Sequence, residues 1–117
     1  MIAFDIVVND KKVCTAGVDS DYGMLTAMLS WARRDLSRLP AEVRAKVPGE
    51  MLKMVVSGQR NLDGSDSENL QWTGCDLKPG DEIRIAIVNV DCVDAPASTE
   101  KVSPNYVKKK RSDMMLH

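Results

Sequence analysis

The chain contains a single histidine, and that histidine is the last residue, His117. Without an internal histidine, the sequence lacks the usual general base and the Ser-His and Cys-His nucleophile pairs. Its glycines are isolated from one another, so no phosphate-binding loop or dinucleotide motif is present. These absences predict no catalytic residue, no cofactor and no histidine-containing metal cluster.

The charge balance also lacks a bias, because the net charge is only -1 over 117 residues. Such a chain has no overall electrostatic attraction to DNA, RNA or acidic lipid, so a nucleic-acid partner is not expected. Hydrophobic residues make up 44% and charged residues 28%, an ordinary balance for a globular protein. A domain of this size buries about two-thirds of the surface of its unfolded chain, enough to fold without metals or disulfides.

The three cysteines, Cys14, Cys75 and Cys92, lack the Cys-x-x-Cys spacing of a zinc site. No apolar run approaches the roughly 20 residues that a membrane-spanning helix needs. The first apolar run contains Asp5 and follows no basic segment, which is not typical of a signal peptide. An odd number of thiols without an export signal predicts reduced cysteines, a cytoplasmic location and no membrane association.

Alternating apolar and polar residues predict strands in both halves of the chain. The first run, 2–8, is followed by Asn9-Asp10, two residue types that tolerate positive φ, and then by a β-rich run over 13–18. Two such runs joined by Asn-Asp are typical of a tight hairpin. Three further strands are predicted over 51–57, 69–73 and 82–90.

Between the second and third strands, the sequence predicts the main helix. Asp19-Ser20-Asp21 provides short oxygen side chains of the kind that cap a first helical turn. Pro40 would end this helix or begin a shorter one that runs to Val47. The apolar residues repeat at spacings of three and four, as on one helical face: Leu25, Met28, Leu29, Ala32, Leu36 and Leu39.

The resulting order predicts an α+β fold, a mixed sheet of about five strands with one main helix packed on one face. Lys78-Pro79-Gly80-Asp81 is a turn leading into the last strand. This β-β-α-β-β-β order, together with that turn, resembles the ubiquitin-like β-grasp fold over about residues 1–92. A conjugation role of that fold would need a C-terminal Gly-Gly, whereas this sequence ends in Leu116-His117. The expected core between helix and sheet consists of Phe4, Ile6, Leu25, Leu29, Ala32, Met54, Val56, Ile83, Ile85 and Ile87.

The composition changes near residue 94. Segment 94–117 has five Lys or Arg and three Asp or Glu, whereas the rest has 11 basic and 14 acidic residues. Apolar residues become sparse there, and Pro96 and Pro104 disfavour regular strand pairing. Burial would then not offset the ordering entropy of about 1–2 kcal/mol per residue. We predict one domain over 1–93 and a flexible, mildly basic tail over 94–117.

Two functions remain open. The first is a non-catalytic protein-interaction domain, such as an accessory subunit or an immunity-type binding protein, with another protein or a second copy as partner. The alternative is a small enzyme or ligand-binding domain that uses carboxylate and Arg chemistry, with Asp76, Asp81 and Glu82 near one sheet end. Tryptophans often anchor interfaces, and a run of four basic residues binds weakly to acidic surfaces. The candidate partner-binding residues are Trp31, Trp72, Tyr106, Lys108, Lys109, Lys110 and Arg111.

Overall fold

Two antiparallel β-sheets form the part of the chain that the computed structural model describes, residues 1–61 and 67–101. The strands are β1 (Ile2–Val8), β2 (Lys11–Gly17), β3 (Gly23–Arg33), β4 (Glu50–Arg60), β5 (Glu68–Asp76), β6 (Ile83–Asn89) and β7 (Ser98–Lys101). One sheet has three strands in the order β2-β1-β6, and the other has four in the order β3-β4-β5-β7. The fold is therefore mostly β, with 58% of the described residues in strands.

The structure confirms the predicted hairpin between β1 and β2. Asn9 and Asp10 have φ angles of 52° and 64°. Positive φ at both central residues is the geometry of the two-residue turn whose twist matches that of paired strands. A β-bulge between Ile6 and Val7 shifts the register of β1 against β2.

The predicted main helix is wrong, and so is the α+β, β-grasp-like fold class. Residues 23–33 form β3, which pairs with β4 along its entire length. Helical structure in the described part of the chain is limited to a 3-10 turn, Leu36–Arg38, and a short helix α1, Ala41–Arg44. Only 7% of the described residues are helical, and no helix there reaches seven residues.

The sequence of residues 23–33 fits both the helical and the strand period, and pairing with β4 selects the strand. Leu25, Ala27, Leu29 and Trp31 alternate along β3. Ala27 lies opposite the buried Val56 of β4, and Leu29 lies opposite the buried Met54. A continuous eleven-residue ladder satisfies the backbone polar groups that β3 and β4 direct towards each other, and that pairing is invisible to local periodicity.

The core lies between the two sheets, where β2 packs against β4 and β5. The three-stranded sheet supplies Ile6, Cys14 and Ala16, and the four-stranded sheet supplies Met54, Val56, Leu70 and Trp72. Phe4, Leu25, Ala27 and Ile83 are among the partly buried residues that pack against this cluster. The expected core was wrong for Leu29, Ile85 and Ile87, which are exposed, and for Ala32, which lies on the other face of β3 and is not part of the cluster.

Residues 94–101, which fall within the predicted tail, contact the sandwich. Asp94 Oδ2 accepts a hydrogen bond from Thr15 N at 2.8 Å, and Asp94 N donates to Thr15 O at 2.9 Å. Asp94 O accepts from Trp72 Nε1 at 2.8 Å. Strand β7 pairs with the edge of β5. Asp94 thus joins β2 of one sheet to β5 of the other.

Within the described residues, no helix is long and apolar enough to cross a membrane.

Candidate binding surface at the open side of the sandwich

Trp31, one of the candidate partner-binding residues, lies on the edge strand β3 and is 61% exposed. Its Nε1 donates a hydrogen bond to Glu50 Oε2 at 3.2 Å. The same carboxylate oxygen lies 3.1 Å from Arg33 Nη2. These contacts hold the indole ring where β3 ends and β4 begins. A large apolar face of the ring remains exposed there.

The other tryptophan lies inside the fold. Trp72 is 7% exposed and belongs to the core cluster, with its only polar atom bonded to Asp94 O. The ring is therefore not available to a partner in this conformation. The remaining candidates, Tyr106 and the basic run Lys108, Lys109, Lys110 and Arg111, lie outside the described residues.

Among the carboxylates proposed for the alternative function, Asp81 organises a turn. Asp81 accepts hydrogen bonds from Asn9 Nδ2 at 3.0 Å and from Lys78 N at 2.8 Å. These bonds lower the pKa of Asp81, the Asn9 side chain contributing most and the Lys78 amide next. Asn9 Oδ1 in turn accepts from Glu82 N at 2.9 Å. This network connects the β1–β2 hairpin to the turn before β6, and the lowered pKa of Asp81 is the opposite of the shift that an acid catalyst needs.

No group of three or more His, Cys, Asp or Glu in residues 1–61 and 67–101 is arranged to hold a metal ion. All three cysteines are free. Burial, followed by the charge of Asp94, raises the pKa of the Cys14 thiol. A raised pKa keeps Cys14 protonated at neutral pH and therefore a poor nucleophile.

Several of the exposed apolar residues lie on one side of the sandwich. β2 covers β4 and β5, so β6 and β3 are the strands left at the opposite side of the two sheets. Ala27 and Leu29 of β3 and Ile83 and Ile85 of β6 line one shallow apolar cavity of about 210 Å³ between these strands. We call the free edges of β3 and β6, with the side chains between them, the open side.

Large side chains at the open side are poorly covered. Leu29 is 64% exposed, Ile85 is 43% exposed and Ile87 is 74% exposed. Ile87 lies opposite Phe4, and Ile85 lies opposite the fully buried Ile6, so both isoleucines belong to the inner face of their sheet. An inner-face row of isoleucines that remains exposed is an incomplete core, and apolar surface of this kind marks interaction sites.

Among the residues that the structure describes, none pairs with the outer edge of the β6 backbone. Met1 and Val90 exchange two hydrogen bonds, each of 2.9 Å, and Asn9 N donates to Glu82 O at 2.9 Å. Because β1 and β6 keep one register without a bulge, the even-numbered β6 residues bond to β1. The N–H and C=O groups of Ile83, Ile85, Ile87 and Asn89 therefore point away from β1, and no other described residue bonds to them.

The same reasoning applies to β3. Arg34 N donates to Gly49 O at 2.8 Å. With the register of the two strands, this bond shows that the even-numbered residues of β3 are the ones that bond to β4. The backbone groups of Leu25, Ala27 and Leu29 therefore face outward. The open side thus combines two free sheet edges with the exposed apolar side chains between them.

By contrast, the edges at the other side of the sandwich, β2 and β7, are covered or otherwise protected. Asp94 occupies both backbone groups of Thr15 on β2, and the Val93 side chain lies against Gly17. Strand β7 is only four residues long, is fully exposed and carries Glu100 and Lys101. Short, charged or covered edges are the usual protection against unwanted strand pairing. The open side lacks such protection except for charges near its ends.

Comparison of the chain with protein-family models, curated proteins and solved structures finds no match.

Sequence reasoning selected Trp31 but missed Leu29, Ile85 and Ile87 as surface residues. Their alternation signals one face of a strand, and an apolar face normally lies in the core. Nothing in the local pattern shows that the facing sheet stops at β3. A usable signal was the composition of β6, which contains only one charged residue, Arg84, in the strand predicted to be the last along the chain.

Proposed function

We propose that this chain is a non-catalytic protein-interaction domain whose partner binds at the open side. The partner contributes an extended segment that pairs with a free edge of β3 or β6 and covers the apolar side chains between them. Strand addition of this type combines main-chain hydrogen bonds with pockets for alternate side chains. An accessory subunit and an immunity-type binding protein both fit this mode of action.

The observation that supports this function most is the exposure of an inner-face isoleucine row beside an unpaired strand edge. Burying a large aliphatic side chain contributes about 1.5–3 kcal/mol relative to full exposure. A partner that covers Leu29, Ile85 and Ile87 would gain part of this burial free energy at each residue. The indole of Trp31 adds an aromatic anchor of the kind that dominates interface energetics.

The three free thiols support a reducing compartment, and we propose the cytoplasm. The carboxylate alternative has less support, because Asp81 is occupied by Asn9 and Lys78.

The test is partner recovery by the tagged full chain from an extract of its own cells, followed by a binding measurement with the purified partner. We expect Ile87→Lys and Leu29→Lys to weaken binding at least about tenfold, because each places a charge in an apolar, desolvated contact. The matched control is Tyr22→Lys, which adds the same charge at a position that is 67% exposed and outside the open side.

Circular dichroism should show that all three variants keep their strand content. The proposal is contradicted if the purified partner binds both open-side variants as tightly as it binds the control.

A further inference from the structure

We propose that β6 pairs with β6 of a second copy of this chain. The pairing is antiparallel and centred on Ala86, and it joins two three-stranded sheets into one continuous sheet of six strands. This inference rests on the proposed function, because it names the partner of the open side. A two-fold arrangement suits one strand pairing with itself, since each residue then meets its own counterpart about the axis.

The register follows from the direction of the backbone groups. Only the odd-numbered residues of β6 point their N–H and C=O groups outward, so a new ladder must join odd to odd. Centring on Ala86 places Ile85 opposite Ile87 and Ile83 opposite Asn89, each pair exchanging two hydrogen bonds. If the two-fold axis passed through Ile85 instead, Asn89 would have no residue of the other β6 strand opposite it. The register on Ala86 uses the full length, Ile83–Asn89.

The side chains are compatible with this register on both faces. On the inner face, Ile85 of each copy lies beside Ile87 of the other, which extends the apolar row across the axis. On the outer face, Arg84 lies opposite Val88, so the two arginines are kept apart. Ala86 meets Ala86 at the axis, where a small side chain allows close approach. Like charges directly opposite would destabilise the pair, and none occur here.

β6 is a better strand for self-pairing than β3. It contains no proline and no bulge, and its outward-facing residues are β-branched except for Asn89. These are the features of an unprotected edge that pairs readily with another chain. The β3 edge ends at Arg33 and Trp31, which are both engaged by Glu50.

A second copy that pairs with β6 would contact more than the strand edge. Stable interfaces bury about 1,200–2,000 Å² in total. One strand pair supplies only part of this area. Leu29 of β3 shares a cavity with Ile85, so a copy seated on β6 also covers apolar surface of the second sheet.

Cysteine cross-linking tests this register directly. The background is the full chain carrying Cys75→Ser and Cys92→Ser, which leaves only the buried Cys14. Ala86→Cys places two thiols across the axis, where directly opposite Cα atoms lie about 4.5 Å apart, within disulfide range. Val88→Cys is the matched control on the same face, because the two copies of residue 88 are four residues apart along the strand, about 13 Å.

We expect Ala86→Cys to form a covalent dimer under mild oxidation, and Val88→Cys and the background to form no covalent dimer. We also expect the wild-type chain to sediment as a concentration-dependent monomer–dimer mixture, which Ile87→Pro shifts to monomer by removing an outward N–H. Failure of Ala86→Cys to cross-link overturns the inference, as does equally efficient cross-linking of Val88→Cys.

These outcomes are separable from failure of the proposed function. If the wild-type chain is monomeric at all concentrations, yet a different purified protein binds it and loses affinity for Ile87→Lys, the self-pairing is wrong and the interaction function stands. If neither a second copy nor any other protein depends on Ile87 or Leu29, both are wrong.

Discussion

Two isoleucines of the same sheet show how position decides the role of a residue. Ile6 is completely buried between the sheets, whereas Ile87, on the same inner face, is 74% exposed at the open side. Truncating a buried aliphatic side chain loses both its transfer free energy and the packing around the cavity. A side chain that is already in contact with water in the monomer has little of either to lose.

We therefore expect Ile6→Ala to lower the free energy of unfolding by about 2–5 kcal/mol. Ile87→Ala should change it by no more than about 1 kcal/mol in the dilute monomer. Urea unfolding of both variants at one low protein concentration measures the difference. Equal losses at the two positions would mean that Ile87 is covered in the monomer.

Asp81 provides a prediction of pH dependence. Its pKa is lowered from 3.8 by the hydrogen bonds from Asn9 and Lys78, so its ionised form stabilises the folded state above the unfolded pKa. That contribution is lost as the pH falls through the lowered pKa. The difference in unfolding free energy between wild type and Asp81→Ala should therefore be larger at neutral pH than in strong acid.

Asp81→Asn is the matched variant, since it keeps a side-chain acceptor but cannot ionise. Its unfolding free energy relative to wild type should follow the same direction with pH. A difference that stays constant from neutral pH into acid would show that the Asn9 and Lys78 contacts do not depend on the charge of Asp81.

At the scale of the elements, the strands that flank the tight turns were predictable, whereas β3 was wrongly predicted as a helix. Asn9-Asp10 and Pro79-Gly80 fix their turns by residue type, and Gly80 adopts φ 98° as the turn requires. The strands flanking those turns follow from alternation. Residues 23–33 fit two periods, and the choice was decided by pairing with β4, whose residues lie 17 to 37 positions further along the chain.

Asp94 is the element-scale contact that local pattern could not reveal, because its partners are Thr15 and Trp72. We expect Asp94→Ala to lower the free energy of unfolding by about 1 kcal/mol, since it removes the side-chain acceptor for Thr15 N. Asp91→Ala, an exposed carboxylate three residues earlier, is the control and should stay within about 0.5 kcal/mol of wild type. Thermal unfolding compares them, and equal effects would contradict a specific role for Asp94.

At the scale of the whole molecule, the sequence could indicate a small domain with several strands but not the shape of the open side. Trp31 was selected from its residue type. Ile85 and Ile87 were assigned to the core because their alternation matches a buried face, and only the arrangement of the two sheets leaves that face uncovered. The open side is a property of how the sheets are offset, which depends on contacts between strands distant in sequence.

The claim that the outer edge of β6 is unpaired has a direct test in amide hydrogen exchange, measured residue by residue by NMR on the dilute monomer. We predict slow exchange for the amides of Arg84, Ala86 and Val88, which bond to β1, and fast exchange for those of Ile85 and Ile87, which face outward. Uniform protection along β6 would show that another strand or segment already covers this edge. That result would contradict the open side as a binding surface.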